Sequence, residues 1–190
     1  KCHADNPMVP DYTTRYLGTA NTRADFNPNN ISFHPVIEKG KNTNPKSLIL
    51  PYNSSSQIYC SSCHASDGEQ SPAGPHGSNY PRILKANYNM DKTPQLGKSW
   101  PALIQSNFTL CFECHEVNAV TNIHTEISNG HFMETISCNA CHDPHGISNS
   151  QGNLLNNSHL INFDKSIVAT RENGDLSFRD EGYRSGRCNL

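Results

Sequence analysis

The pentapeptide Cys-x-x-Cys-His is written three times into this chain: Cys60-Ser61-Ser62-Cys63-His64, Cys111-Phe112-Glu113-Cys114-His115 and Cys138-Asn139-Ala140-Cys141-His142. Thiols three residues apart lie on one side of a helical turn, and the next residue drops its side chain beneath that turn. This spacing lets both thiols add across the vinyl groups of one porphyrin while the imidazole ligates the iron, the attachment signature of a c-type heme. Zinc ribbons also use Cys-x-x-Cys pairs, but they do not require a His directly after each pair. A thiol redox motif would occur once, inside an apolar strand–helix unit. All three copies here carry the His, so the pattern favours covalent heme over zinc or thiol chemistry.

Composition agrees. Hydrophobic residues make up 34% of the 190, with a single Trp, and mean hydropathy is −0.66. An ordinary globular domain is about 45–50% apolar, so this chain would bury a poor core unaided. Porphyrins supply the missing apolar surface. The predicted fold is therefore mostly irregular coil, with short helices at the heme motifs and a small β-hairpin, all packed on heme. Without heme such a chain is expected to be largely unfolded. A net charge of −2 suggests neither nucleic acid nor a membrane surface as partner, and no apolar run is long enough to span a bilayer.

The ends carry half-motifs. The chain opens Lys1-Cys2-His3 and closes Cys188-Asn189-Leu190. Joined end to start, they form a Cys-x-x-x-Cys-His site, a looser heme variant using Cys188, Cys2 and His3. The alternatives are a Cys2–Cys188 disulfide or two unrelated thiols, but a disulfide leaves the Cys2-His3 pair unexplained. On the split-site reading residues 1–190 are one multiheme unit, a repeat of a longer chain or polymer. Residues 1–3 and 188–190 are then halves of a shared site, and each unit carries four hemes c.

Between the motifs the chain reads as loops punctuated by short elements. Residues 4–55 are rich in Asn, Pro and Thr, with an extended segment at Ile31-Ser32-Phe33-His34-Pro35-Val36 and a short strand at Ser47-Leu48-Ile49-Leu50. Ser99-Trp100-Pro101 reads as a helix start with Ser as cap and Pro in the first turn. Ser166–Ala169 and Leu176–Phe178 flank Glu172-Asn173-Gly174-Asp175, a hairpin signal. No internal repeat shows beyond the heme motifs. Asn-x-Ser/Thr sequons stand at Asn30, Asn53, Asn107 and Asn156, several of which an Asn-rich chain carries by chance.

Ten histidines are present. With His3, His64, His115 and His142 as proximal ligands, six remain for the opposite face of four irons: His34, His76, His124, His131, His145 and His159. His34 sits between Phe33 and Pro35, on constrained backbone. His76 lies in Gly74-Pro75-His76-Gly77, a tight turn. His145 is too near His142 to reach the far face of the same heme, but it can ligate a neighbouring one. His131, followed by Phe132, His159, at the head of an apolar run, and His124 complete the set. Met8, Met90 and Met133 are alternative distal ligands.

The segments Phe33-His34-Pro35-Val36, Gly74-Pro75-His76-Gly77-Ser78, Cys141-His142-Asp143-Pro144-His145-Gly146 and His159-Leu160-Ile161-Asn162-Phe163-Asp164, together with the heme motifs, resemble the doubled-CXXCH multiheme c-type cytochromes. The resemblance runs over roughly residues 31–190. It departs at Ala4-Asp5-Asn6-Pro7, where that family often carries a Gly and a further His. It implies stacked bis-His hemes, electron transport and an extracellular or cell-surface location, with the periplasm as alternative. Some relatives polymerise into extracellular cytochrome filaments, which implies head-to-tail self-association and exchange with redox proteins or extracellular acceptors. A soluble periplasmic shuttle is the alternative. A multiheme reductase would need a five-coordinate heme, and no Cys-x-x-Cys-Lys occurs.

Overall fold

The computed structural model describes residues 21–68, 74–90, 100–128, 137–169, 176–182 and 185–189. In chain order the elements are helix α1 (Thr22–Asp25), strand β1 (Ser32–Phe33), helices α2 (Trp100–Asn107), α3 (Thr109–Phe112) and α4 (Val117–Ser128), strand β2 (Gly146–Ile147), helix α5 (Leu154–Asn157) and strands β3 (Ser177–Gly182) and β4 (Ser185–Asn189). Tight 3-10 turns occur at Cys60–Ser62, Pro81–Ile83, Cys138–Ala140 and Ser158–Leu160. Coil predominates, with helical turns at all three heme motifs and one hairpin.

Local chemistry explains the short elements. Asn21 caps α1 by accepting the Ala24 N–H at 3.1 Å, and the Asn30 amide closes the following loop by donating to the Ala24 and Asp25 carbonyls. The Asn30 sequon is thereby buried. Pro101 falls in the first turn of α2, where its missing N–H costs nothing; the proposed cap Ser99 lies outside the described residues. Glu116, next to the second motif, starts α4: its carboxylate oxygens accept the Asn118 and Ala119 N–H groups at 3.0 and 2.6 Å.

Long-range pairing joins the early chain to the late chain. β1 runs antiparallel to β2, with Ser32 opposite Ile147 and Phe33 opposite Gly146, and the His34 N–H donates to the His145 carbonyl. Among the described residues, two small apolar clusters stand out. Leu103, Ile104 and Phe108 pack with Tyr88, Cys111, Phe112, Val120 and Cys138, between the second and third motifs. Ala140, Cys141, Ile161, Phe163, Val168 and Phe178 form the other, beside the third. Both clusters include motif cysteines, so the apolar residues gather where porphyrin would be attached.

The hairpin is not where the Asn-Gly signal puts it. Ser166 to Val168 form a turn, because the Asp164 carboxylate accepts both the N–H and the hydroxyl of Ser166. The Asp164 carbonyl also accepts the Ile167 and Val168 N–H groups. An Asx turn here beats the β-branched propensity of Ile167-Val168. The hairpin forms one segment later, β3 against β4, with Phe178 opposite Cys188; residues 170–175 lie outside the described residues. Ser47–Leu50 contributes a single bridge, Leu48 to His115, rather than a strand.

Two substitutions test this packing. A Cβ at Gly146 would stand 2.0 Å from the Asp25 carbonyl oxygen, so Gly146→Ala must push α1 away, at about 1–3 kcal/mol. Phe108, only 1% exposed, is expected to cost about 3–5 kcal/mol when cut to Ala. Guanidinium unfolding of the heme-loaded protein, followed by circular dichroism, reads both losses.

Candidate heme sites

The three motifs adopt one backbone geometry. In each, the carbonyl of the first Cys accepts the N–H of the second Cys and of the His. The distances are 3.2 and 2.8 Å at Cys60, 3.2 and 3.0 Å at Cys111, and 3.3 and 2.9 Å at Cys138. This doubly bonded turn holds both thiols and the imidazole together. Burial pushes the Cys63 thiol up to about 11 and the Cys138 thiol up to about 12. Cys111 moves the same way, chiefly by burial and then through Cys138 and Cys63. Redox cysteines are shifted downwards instead. Cys111 and Cys138 pack on one apolar cluster, and Lys85 beside the first motif pairs with Glu113 of the second, so the three sites stand side by side.

A second recurring device was invisible in the sequence. At each site a distant residue crosses the proximal His antiparallel: Leu84 at His64, Leu48 at His115 and Ile161 at His142. The residue after the crossing one donates its N–H to the second Cys of the motif: Lys85 to Cys63 at 2.9 Å, Ile49 to Cys114 at 3.0 Å and Asn162 to Cys141 at 2.7 Å. This strap also grips the ring. His64 Nδ1 meets the Arg82 carbonyl at 2.9 Å, and His142 Nδ1 meets the His159 carbonyl at 2.9 Å. At the second site His115 Nδ1 meets the Ser47 hydroxyl at 2.9 Å.

Backbone strain marks the two straps that use a carbonyl. Arg82 and Ile83 have φ of 62° and 54°, and His159 and Leu160 have 55° and 63°. Left-handed backbone costs roughly 1–2 kcal/mol per L-residue, and such outliers persist where surroundings over-determine them. The kink turns a carbonyl onto Nδ1. The Ser47 strap lacks it and uses a side chain instead.

An Nδ1 bonded in this way assigns iron to Nε2, and the donor–acceptor pair raises the basicity of the ligand. His34 and His124 are held likewise, by the Pro144 carbonyl at 2.5 Å and the Val120 carbonyl at 2.8 Å. Burial pushes His115 down to about 4 and also lowers His34 and His124, keeping these imidazoles neutral, as ligation requires.

The distal candidates divide. His145 lies parallel to His64, ring centroids 6.5 Å apart and planes 15° apart. His124 faces His142 at 5.9 Å and 75°. His34 is close enough to His115 to lower its pKa electrostatically. Two imidazoles sharing one iron, each bonded at roughly 2 Å, would have centroids about 6 Å apart, a spacing near that of both pairs. His159 stands differently: its carbonyl grips His142 while its Nε2 meets Asp180 at 3.1 Å. His76 is exposed, folded over Gly74, whose φ of 111° only glycine adopts easily. Met90 is 41% exposed. Cys2, His3, His131, Met8 and Met133 lie outside the described residues. Among the described residues, no three His, Cys, Asp or Glu gather as a bare metal ion would need.

Residues 59–143 match the family model described as Cytochrome c554 and c-prime. That stretch begins one residue before the first motif and ends one residue after the third. The match supports a c-type cytochrome that carries heme c and transfers electrons. No curated protein and no solved structure gives a significant match. Among the described residues, no helix is long and apolar enough to cross a membrane.

Ser47 offers a side-chain handle on one proximal ligand. Ser47→Ala removes the acceptor at His115 and leaves the carbonyl acceptors of His64 and His142 in place. A less basic imidazole stabilises ferric iron less, so one heme is expected to titrate at higher potential in a spectroelectrochemical scan while the others stay.

Proposed function

We propose that this protein conducts electrons through closely spaced bis-His c-type hemes, four per 190 residues. It would do so as the repeating unit of an extracellular or cell-surface cytochrome filament. The observation that carries the electron-transfer reading is the pairing of strap-held proximal imidazoles with second imidazoles, His64 with His145 and His142 with His124, with His34 the candidate partner of His115. Heme iron supplies reversible one-electron chemistry when bound. Two imidazoles held at each iron would leave no open position for a substrate, so these residues would support electron exchange. The residues of the chain hold the ligands, exclude water and tune each potential.

The pairs interlock the sites, which favours short electron hops. Helix α4 begins directly after His115 and carries His124 to His142, so one rigid element, at roughly 1.5 Å of rise per residue, spaces the second and third sites. The segment after His142 returns His145 to His64. Lys85, on the first strap, forms an ion pair with Glu113 of the second motif.

The fourth heme would be shared between units. Cys188 is an exposed, free thiol on β4, opposite Phe178 of the core cluster beside the third site. A junction with Cys2 and His3 of the next unit would extend the heme row, and a head-to-tail contact that does not close produces a filament. A soluble periplasmic shuttle would use the same internal hemes without the junction.

Two measurements test this. A pyridine hemochrome assay is expected to return four hemes per 190 residues, and three would remove the shared site. Glu-specific proteolysis and mass spectrometry are expected to yield a peptide set joining Cys188 and Cys2 through one heme. A Cys2–Cys188 disulfide would contradict it.

A further inference from the structure

The run His142-Asp143-Pro144-His145 touches the ligands of all three internal sites. His142 is the proximal imidazole of the third, and His145 faces His64 in the first. The Pro144 carbonyl holds Nδ1 of His34, the imidazole beside His115 in the second. Asp143 stands in the middle with its carboxyl 1% exposed. Its Oδ1 accepts the His145 N–H at 3.1 Å and lies 3.9 Å from His145 Nδ1. Its Oδ2 faces the Asn162 amide at 3.5 Å, and its charge reaches His34. Asn162 belongs to the strap over the third motif, so the carboxyl is anchored from a third direction.

A buried carboxylate is costly unless it serves several partners. We propose that Asp143 is a positioning residue for the heme held by His64 with His145. It fixes the turn that aims His145, and through its contact with that ligand its charge lowers the reduction potential of that iron more than of the others. The inference rests on the bis-His reading above. The sign follows from Coulomb's law: negative charge stabilises ferric over ferrous iron, and low-dielectric surroundings strengthen the effect.

Asp143→Asn keeps the size and the Oδ1 acceptor for the His145 N–H while removing the charge. The probe is the intact heme-loaded protein, titrated through its redox range with each heme's methyl groups followed by paramagnetic NMR. The heme beside His145 is recognised by its contact with Phe26, whose ring lies 5.5 Å from that imidazole. Asp143→Asn is expected to raise the potential of that heme more than of any other, with all irons remaining low-spin. Asp143→Glu retains the charge and is expected to leave it near the unmutated value. An upward move of that heme by Glu, equal shifts of every heme in Asn, or no shift would overturn the proposal alone. High-spin methyl signals in the unmutated protein would overturn the bis-His reading and this proposal with it.

Discussion

An imidazole can serve iron well only if its other nitrogen is bonded, because that bond fixes the tautomer, aims the ring and raises its basicity. In this protein a crossing strap at each Cys-x-x-Cys-His turn supplies the bond, from Arg82, Ser47 and His159. The straps lie 17, 18 and 68 residues from the histidines they hold, so each site is complete only when those separate segments have come together. Other long-range ties support the straps: β1 pairs with β2, and the Asn139 amide donates to the Asn89 carbonyl. The sheets are two-stranded and the apolar clusters are small, each resting on motif cysteines. The left-handed residues at Arg82–Ile83 and His159–Leu160 are strain that only a demanding ligand geometry would retain.

Interlocking follows from the same device. The strap over the third motif leads with Leu160, whose N–H donates to the Ser32 hydroxyl at 3.1 Å, while that hydroxyl donates to the Asn157 carbonyl. Ser32 lies on β1, next to His34. The second site's distal candidate is thus tied to the third site's proximal grip. His159 joins the scheme in an unexpected capacity: its backbone holds His142 and its ring meets Asp180 on β3. The internal sites are thereby connected to the hairpin that carries Cys188.

Legibility in the sequence tracks locality. The heme turns were readable because five consecutive residues contain their whole geometry. Local context ranks His34, His76, His131, His145 and His159 alike as distal candidates, and chain reach keeps His145 from the heme of its own motif while leaving a neighbouring one open. Which imidazole faces which was not readable, since His64 with His145 and His124 with His142 depend on the path of α4 and on β1–β2 pairing. The straps were hidden for a different reason. Tyr80-Pro81-Arg82-Ile83-Leu84 and Asn157-Ser158-His159-Leu160-Ile161 share a backbone path and a basic-aliphatic-aliphatic order but no identical residue, and Ser47-Leu48-Ile49 lacks the basic one, so the likeness is too short to read as a repeat. The hairpin was displaced because Asp164, a residue outside the periodic pattern, captured Ser166.

The central claim is that His145 closes the far face of the heme attached at Cys60 and Cys63. Carbon monoxide binding to the reduced, heme-loaded protein tests it directly. The unmutated protein is expected to bind almost none, and His145→Ala to bind one equivalent per unit. Stoichiometric binding by the unmutated protein, or none by the variant, would contradict the account.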